Sequence, residues 1–206
     1  MANLKEVRNR IVSVSSTQQI TSAMKMVSAA KLRRAQDAVT QMRPYANKLK
    51  EILENLSSSL DSASGIYSKQ REVKKVLIVP ITSNRGLCGG FNANIIKATG
   101  RLVREEYSGA QITILPIGKK ATEFFKKSSF ETTDAGLTNL VEIWDGLTFA
   151  NASIIAEKIM QLFATGAYDK VELVYNQFKN AAVQVTMVEQ YLPVKPPQVT
   201  EKKKSL

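Results

Sequence analysis

The feature that most constrains this chain is a coiled-coil seam, a series of heptad core positions spaced three and four residues apart. Its apolar members are Leu4, Val7, Ile11, Val14, Leu32, Ala35, Val39, Met42, Ala46, Leu49, Leu53, Leu56 and Leu60. This spacing is typical of a long helix whose apolar side is covered by a second helix. At 1.5 Å per residue the segment would span roughly 85 Å. We therefore predict that residues 1–62 form a long helix, one half of a coiled coil, that projects as an arm. Its partner helix is expected in a second copy of the chain, in another chain, or in sequence beyond the given end.

The middle of this segment interrupts the seam. Polar residues occupy four successive core positions, which are Gln18, Thr21, Lys25 and Ser28. Apolar residues stand one position earlier, at Ile20, Met24 and Val27, on a face rotated by about 100°. One interpretation is a local stutter in the supercoil. The other is that Ile20, Ala23, Met24 and Val27 contact a different partner from the ends of the arm. Pro44 lies outside the seam, and we expect a mild kink there rather than the end of the helix.

The charge of the chain is concentrated in the same segment. Residues 1–50 carry ten Lys and Arg against two acidic residues, a net charge of +8 out of +11 for the whole chain. Such an excess indicates an acidic counterpart, which could be nucleic acid, anionic lipid or an acidic protein cavity. No aromatic residue lies among the basic ones before Tyr45, and no zinc-finger or RNA-motif pattern is present. A nucleic-acid-binding adaptor stays the alternative function.

Several classes of site are excluded or disfavoured by composition. The chain has no histidine, so histidine-based triads and histidine metal sites are excluded. Its one cysteine, Cys88, cannot form an internal disulfide, which indicates a reducing compartment. No stretch is long enough to cross a bilayer, and the N-terminus is not a secretory signal. We therefore expect a soluble or peripheral protein without metal or cofactor.

A different pattern follows the polar residues that end the arm near position 65. Short apolar runs predict strands and amphipathic stretches predict helices, in alternation, which indicates a largely parallel α/β sheet. The strands are expected at 76–81, 112–117 and 171–175, the helices at 94–107, 119–127 and 151–164, and a half-buried edge strand at 183–188. We place an α/β globular domain at residues 72–192 and an extended polar tail at 193–206.

The segment after the first predicted strand looks most like a binding loop. Residues 82–92 include Arg85, Gly86, Cys88, Gly89 and Gly90, and they precede a predicted helix. The loop lacks the Gly-Lys-Ser/Thr ending of a phosphate-binding loop and the dinucleotide glycine spacing. Cys88 has no histidine to activate it as a nucleophile. The simpler interpretation is a tight strand-to-helix turn in which the glycines surround a small buried thiol.

Four segments together resemble the γ subunit of rotary F-type ATP synthases. These are residues 18–31 (QQITSAMKMVSAAK), 43–46 (RPYA), 85–92 (RGLCGGFN) and 175–178 (YNQF). The resemblance implies an α/β protein, with a Rossmann-like α/β domain and a long N-terminal coiled-coil helix that pairs antiparallel with a C-terminal helix. That C-terminal helix is not found before Leu206, so we expect the sequence to be a fragment or to have its remainder elsewhere.

The resemblance also implies a function and partners. It implies a non-catalytic central-stalk subunit, the rotor shaft, which couples proton translocation to ATP synthesis or hydrolysis in the catalytic β subunits. The implied partners are the α and β subunits of the catalytic ring, the ε subunit and the membrane rotor ring, without nucleic acid or a small-molecule substrate. The implied location is peripheral, at the cytoplasmic face of the bacterial inner membrane. The residues expected to contact the catalytic ring are Ile20, Ala23, Met24, Val27, Lys31 and Arg34.

Overall fold

A computed structural model describes residues 3–59 and 65–195 of the chain, without the side chains at positions 54 and 56–59. The chain divides into two compact units, Met1–Leu53 and Glu54–Leu206. The seam positions Leu56, as a side chain, and Leu60 lie outside the described residues, as does the predicted tail from position 196 onward. The predicted domain boundaries at residues 62, 72 and 192 stay predictions.

The first unit consists of one helix, α1 (Leu4–Ser59), which is 56 residues long and continues for six residues past the end of the unit at Leu53. It continues through Pro44, as expected. Every described side chain of α1 is exposed except that of Gln36, which is half-buried. A helix of this length therefore buries none of its apolar side chains within its own unit.

The second unit is a five-stranded sheet with helices on both faces. Its elements in chain order are β1 (Lys75–Pro80), α2 (Phe91–Glu105), β2 (Gln111–Ile114), α3 (Lys119–Phe125), β3 (Glu131–Thr132), a 3-10 helix (Glu142–Trp144), α4 (Phe149–Ala164), β4 (Lys170–Phe178) and β5 (Gln184–Leu192). The strand order is β3-β2-β1-β4-β5, in which only the β4–β5 pair is antiparallel. The predicted α/β fold, the largely parallel sheet and the edge position of the last strand are confirmed.

The alternation of side chains along β1 builds two cores. Val76 and Ile78 pack on one face with Ile95 and Leu102 of α2. Leu77 and Val79 pack on the other face with a cluster that includes α4. All four β1 side chains are fully buried, because a central parallel strand is covered by helices on both faces.

Two elements of the sheet unit were not predicted from the sequence. The strand β3 has only two residues, and the 3-10 helix has three. Elements this short leave no periodic pattern, so hydrophobic spacing cannot reveal them. The last strand was also predicted too short, since β5 extends to Leu192, whose side chain is buried.

The backbone just before α3 packs closely against the backbone just after β1. Gly118 has a φ of 91°, and a Cβ added there would lie 2.1 Å from the Thr82 carbonyl oxygen. The Thr82 side chain is buried, and its Oγ1 accepts a hydrogen bond of 2.9 Å from the Ala121 amide in the first turn of α3. Only glycine allows both this φ and this approach.

A buried polar cluster ties the end of α2 to β4. Lys170 Nζ donates to Tyr107 Oη at 2.6 Å, and Tyr107 Oη donates to Glu172 Oε1 at 2.8 Å. Lys170 Nζ also lies 2.9 Å from Glu172 Oε1, so the carboxylate, which is 5% exposed, is paired twice. Burial raises the pKa of Tyr107 to about 12, and the hydrogen bond to Glu172 acts in the same direction while Lys170 opposes it.

We predict that Gly118→Ala lowers the free energy of unfolding of the sheet unit by about 3 kcal/mol, because it adds both backbone strain and an overlap with Thr82. Urea unfolding followed by the fluorescence of Trp144 measures this. Gly109→Ala is the matched control, since a Cβ at Gly109 meets no atom within 4 Å. Equal losses in the two variants would contradict the prediction.

We predict that the Tyr107 phenol titrates near pH 12 in the folded chain. The ordinary tyrosine pKa is about 10. Because the folded pKa is raised, the stability linked to this group is complete below about pH 10 and is lost as the pH rises through 12. The ultraviolet difference titration between the parent chain and Tyr107→Phe isolates this group. A midpoint near pH 10 would show that burial does not hold the proton.

Candidate functional site

The seam of α1 is an uncovered apolar surface. Its large side chains are all exposed wherever the structure describes them, which are those of Leu4, Val7, Ile11, Val14, Leu32, Val39, Met42, Leu49 and Leu53. Val39 is the least exposed of them, at 38%, and Leu4 the most, at 70%. Because these positions recur every three and four residues on one continuous helix, they share one side of it. This side has the arrangement that a second helix covers in a coiled coil.

The residues predicted to contact the catalytic ring lie on a second face of α1. Their spacing places them along one continuous stripe, because residues three or four positions apart lie on the same face of a helix. The one shorter step is from Ala23 to Met24. The stripe consists of Ile20, Ala23, Met24, Val27, Lys31 and Arg34, all exposed. The helix therefore brings the six together on one face. Their contact with a catalytic ring stays a prediction.

The charges beside the seam have one sign. In the heptad frame that starts at Leu4, the two positions that flank the core hold five charged residues between positions 3 and 53, all of them basic: Arg8, Arg10, Lys31, Arg43 and Lys50. The acidic residues Glu6, Asp37 and Glu51 lie at positions away from the core. Since flanking positions select the partner of a coiled coil, this surface is suited to a helix with acidic flanks.

The loop after β1 was predicted to enclose a buried thiol, and this was wrong, since Cys88 is exposed. The side-chain Nδ2 of Asn92 donates to Cys88 Sγ at 3.2 Å and to the Arg85 carbonyl oxygen at 3.2 Å. Gly89, with a φ of 57°, lets the chain turn into α2. The loop is closed by these short-range bonds rather than packed around the sulfur.

Two asparagines that the sequence reasoning missed fix this loop. Asn92 Oδ1 accepts from the Ser83 amide at 3.0 Å. Asn84 accepts from the Lys119 amide at 2.9 Å and donates to the Val141 carbonyl at 2.8 Å. Asparagine is a common turn residue after a strand because its side chain can bond to backbone. The asparagines in this loop were therefore the signal that could have revealed its hydrogen bonds.

The position of the loop is the one at which doubly wound sheets bind ligands. β2 lies on one side of β1 and β4 on the other, so the strand order reverses at β1. Asn176 Nδ2 of β4 donates to the Phe91 carbonyl at 2.8 Å, which joins β4 to the start of α2 at this point. The polar side chains here therefore bond to the protein's own backbone. Arg85 and Gly86 are exposed on the loop.

Residues 3–59 and 65–195 contain no group of three or more Cys, Asp or Glu residues arranged to hold a metal ion. They also contain no helix with the length and apolar character needed to cross a membrane.

Comparison with known proteins identifies the family. The ATP synthase family model matches residues 3–206. The ATP synthase gamma chains of Flavobacterium psychrophilum and Flavobacterium johnsoniae are 55% and 56% identical to this chain over 197 residues. In each case the match covers 95% of this chain and 67% of the relative. The gamma chain of Chlorobaculum parvum is 46% identical over 98% of this chain and 69% of the relative. The chain thus spans about two thirds of the length of the curated relatives it matches.

Solved structures agree with these sequence matches. A chain in the central stalk and c-ring structure of the Tetrahymena thermophila mitochondrial ATP synthase has a TM-score of 0.57 and 30% identity, over 84% of this chain and 72% of that chain. A chain of the Euglena gracilis mitochondrial ATP synthase rotor has a TM-score of 0.52 and 22% identity, over 89% and 60% of the two chains, and supports the fold alone. With a family match over nearly its whole length and relatives above 50% identity, the chain belongs to the gamma chain family of ATP synthases.

Proposed function

We propose that this chain is a non-catalytic rotor-shaft subunit of an ATP synthase, which couples proton translocation to ATP synthesis or hydrolysis in the catalytic β subunits. The observation that carries the proposal is α1, a 56-residue helix whose apolar side chains are exposed along its described length. A helix that buries nothing in its own unit is suited to contact other helices and other subunits. The gamma-chain relatives and the central-stalk structure support the same assignment.

The seam is the first contact surface in this proposal. A second helix covers it and completes the coiled-coil shaft. Each large side chain then gains roughly 1.5–3 kcal/mol from burial, which is more than helix propensity provides. The basic flanking residues select a helix with acidic residues beside its own core.

The stripe from Ile20 to Arg34 is the second contact surface. It contacts the α and β subunits of the catalytic ring, while the seam, on a different side of α1, contacts the partner helix. A shaft with different side chains on different faces presents a different surface to each β subunit as it turns. In this way rotation makes the three catalytic sites unequal. The thioether of Met24 is suited to a surface that must adapt to several packings.

The sheet unit has a supporting role in this proposal. It contacts the ε subunit and the membrane rotor ring, on the cytoplasmic side of a bacterial membrane, and it takes no small-molecule substrate. Its loop after β1 supports a structural role, because Asn84 and Asn92 bond to backbone of the unit itself. The chemistry of ATP belongs to the β subunits.

We predict that the seam of the isolated chain is unprotected. Amide hydrogen exchange at low concentration should be fast across α1 and slow in β1, β2 and β4, because the strands belong to buried cores whereas no described apolar side chain of α1 is buried. Adding a helix with acidic flanks should slow exchange in α1. Protection of α1 that does not depend on concentration, in a proven monomer, would show that the chain covers its own seam.

We predict that Met24→Lys lowers coupling more than ATP hydrolysis in an ATP synthase assembled with this chain. The new charge faces the catalytic ring, whereas the chemistry occurs elsewhere. The ratio of proton pumping to hydrolysis in membrane vesicles measures the effect. Met26→Lys is the matched control, because Met26 is equally exposed, at 66% against 65%, and lies off the stripe. Equal losses of pumping and hydrolysis with Met24→Lys, or equal effects of the two variants, would contradict the role of the stripe.

A further inference from the structure

A turn in the sheet unit presents three large apolar side chains to solvent within six residues. Trp144, Leu147 and Phe149 are 39%, 60% and 89% exposed. They lie between the end of the 3-10 helix and the first residue of α4. Single exposed apolar residues are ordinary on protein surfaces, but a cluster with two aromatic rings is typical of an interaction site.

Two hydrogen bonds from Asn151 close this turn. Asn151 Nδ2 donates to the Gly146 carbonyl oxygen at 2.8 Å, and the Asn151 amide donates to Thr148 Oγ1 at 3.2 Å. On either side of the turn, Ile143 and Ile155 are buried in the same hydrophobic cluster. The apolar side chains are therefore displayed on a closed turn, and a preorganised surface loses less entropy when it binds.

The charge of this region is opposite to that of the chain. Residues 128–157 contain five acidic residues and no Lys or Arg, although the whole chain carries +11. Glu142, Asp145 and Glu157 are exposed on the two helices and the turn that carry the apolar side chains. No ion pair is found for these three carboxylates within the described part of the chain. Acidic residues therefore lie on both sides of the three apolar residues along the chain.

We propose that this acidic aromatic turn, formed by Trp144, Leu147 and Phe149 with Glu142, Asp145 and Glu157, docks a basic amphipathic helix of another protein. Apolar side chains of that helix would cover the leucine and the two rings. Its Lys or Arg residues would pair with the carboxylates and lie over the aromatic faces. The proposal goes beyond the rotor function and does not depend on it, since all six residues belong to the sheet unit.

The chain provides its own reporter for a test, because Trp144 is its only tryptophan. The probe is a synthetic amphipathic helix of leucine and lysine, titrated into the 206-residue chain while Trp144 emission is recorded. We expect a saturable blue shift as the indole leaves water, and weaker binding at higher ionic strength because exposed charges are screened. The matched peptide of leucine and glutamate should give no saturable shift.

Variants separate the apolar and the charged contributions. Phe149→Ala should weaken binding of the leucine-lysine peptide by about tenfold, as for a buried aromatic anchor. The double variant Glu142→Gln with Asp145→Asn should weaken it several-fold and reduce its salt dependence. Leu87→Ala and Glu105→Gln, which change an exposed leucine and an exposed carboxylate of other elements, should leave binding unchanged. Circular dichroism checks that each variant is folded.

Three results would overturn the proposal. The first is the absence of a saturable shift with the leucine-lysine peptide. The second is an equal response to the leucine-glutamate peptide, which would show that the carboxylates do not select the ligand. The third is a shift that grows with the concentration of the chain alone, which would assign the turn to the basic α1 of a second copy.

Discussion

The uncovered apolar side of α1 is the constraint on which the functional interpretation depends. A helix in a globular domain is stabilised mainly by burying one face, yet every described apolar side chain of α1 is exposed. The free energy that would hold this helix against fraying must therefore come from contacts outside its own unit. This is the physical reason to interpret the first unit as a component of an assembly, and the family match gives that assembly its identity.

The sheet unit is stabilised in the opposite way. β1 is buried on both faces, and the polar groups near its end are satisfied internally by Thr82, Asn84 and Asn92. The switch point of a doubly wound sheet is a usual place for a ligand, but here the hydrogen bond from Asn176 to the Phe91 carbonyl joins β4 to α2. At the place where such folds often bind nucleotides, the polar side chains of this chain form hydrogen bonds to its own backbone.

The two proposed binding surfaces carry charges of opposite sign. All the charged residues that flank the seam are basic, whereas the border of the aromatic turn is acidic. Exposed charges contribute little to stability, so such a separation has its main effect on the choice of partner and on the rate of encounter. This separation of charge is the basis for our proposals that the seam binds a helix with acidic flanks and that the turn binds a basic helix.

The sequence by itself determined α1, the seam, the rotated stripe and the parallel sheet, because each extends over enough residues for a period of 3.6 or 2 to be visible. It also located the loop after β1 as a strand-to-helix turn. Periodicity could not detect the two-residue β3, which is defined by its pairing with β2, or the 3-10 helix, which is a single turn and too short to show a period.

Only the tertiary structure decided the environment of individual residues. Cys88 was expected to be buried and is exposed, since burial depends on what packs around a loop and not on the small size of a side chain. The need for glycine at position 118 arises from the carbonyl of Thr82, 36 residues earlier in the chain. The acidic aromatic turn was likewise identified only from the exposure of Trp144 and Phe149, because large aromatic residues are ordinarily expected in a core. A local sequence pattern predicts which secondary structure a segment can form. Contacts between segments decide which of its side chains stay exposed to a partner.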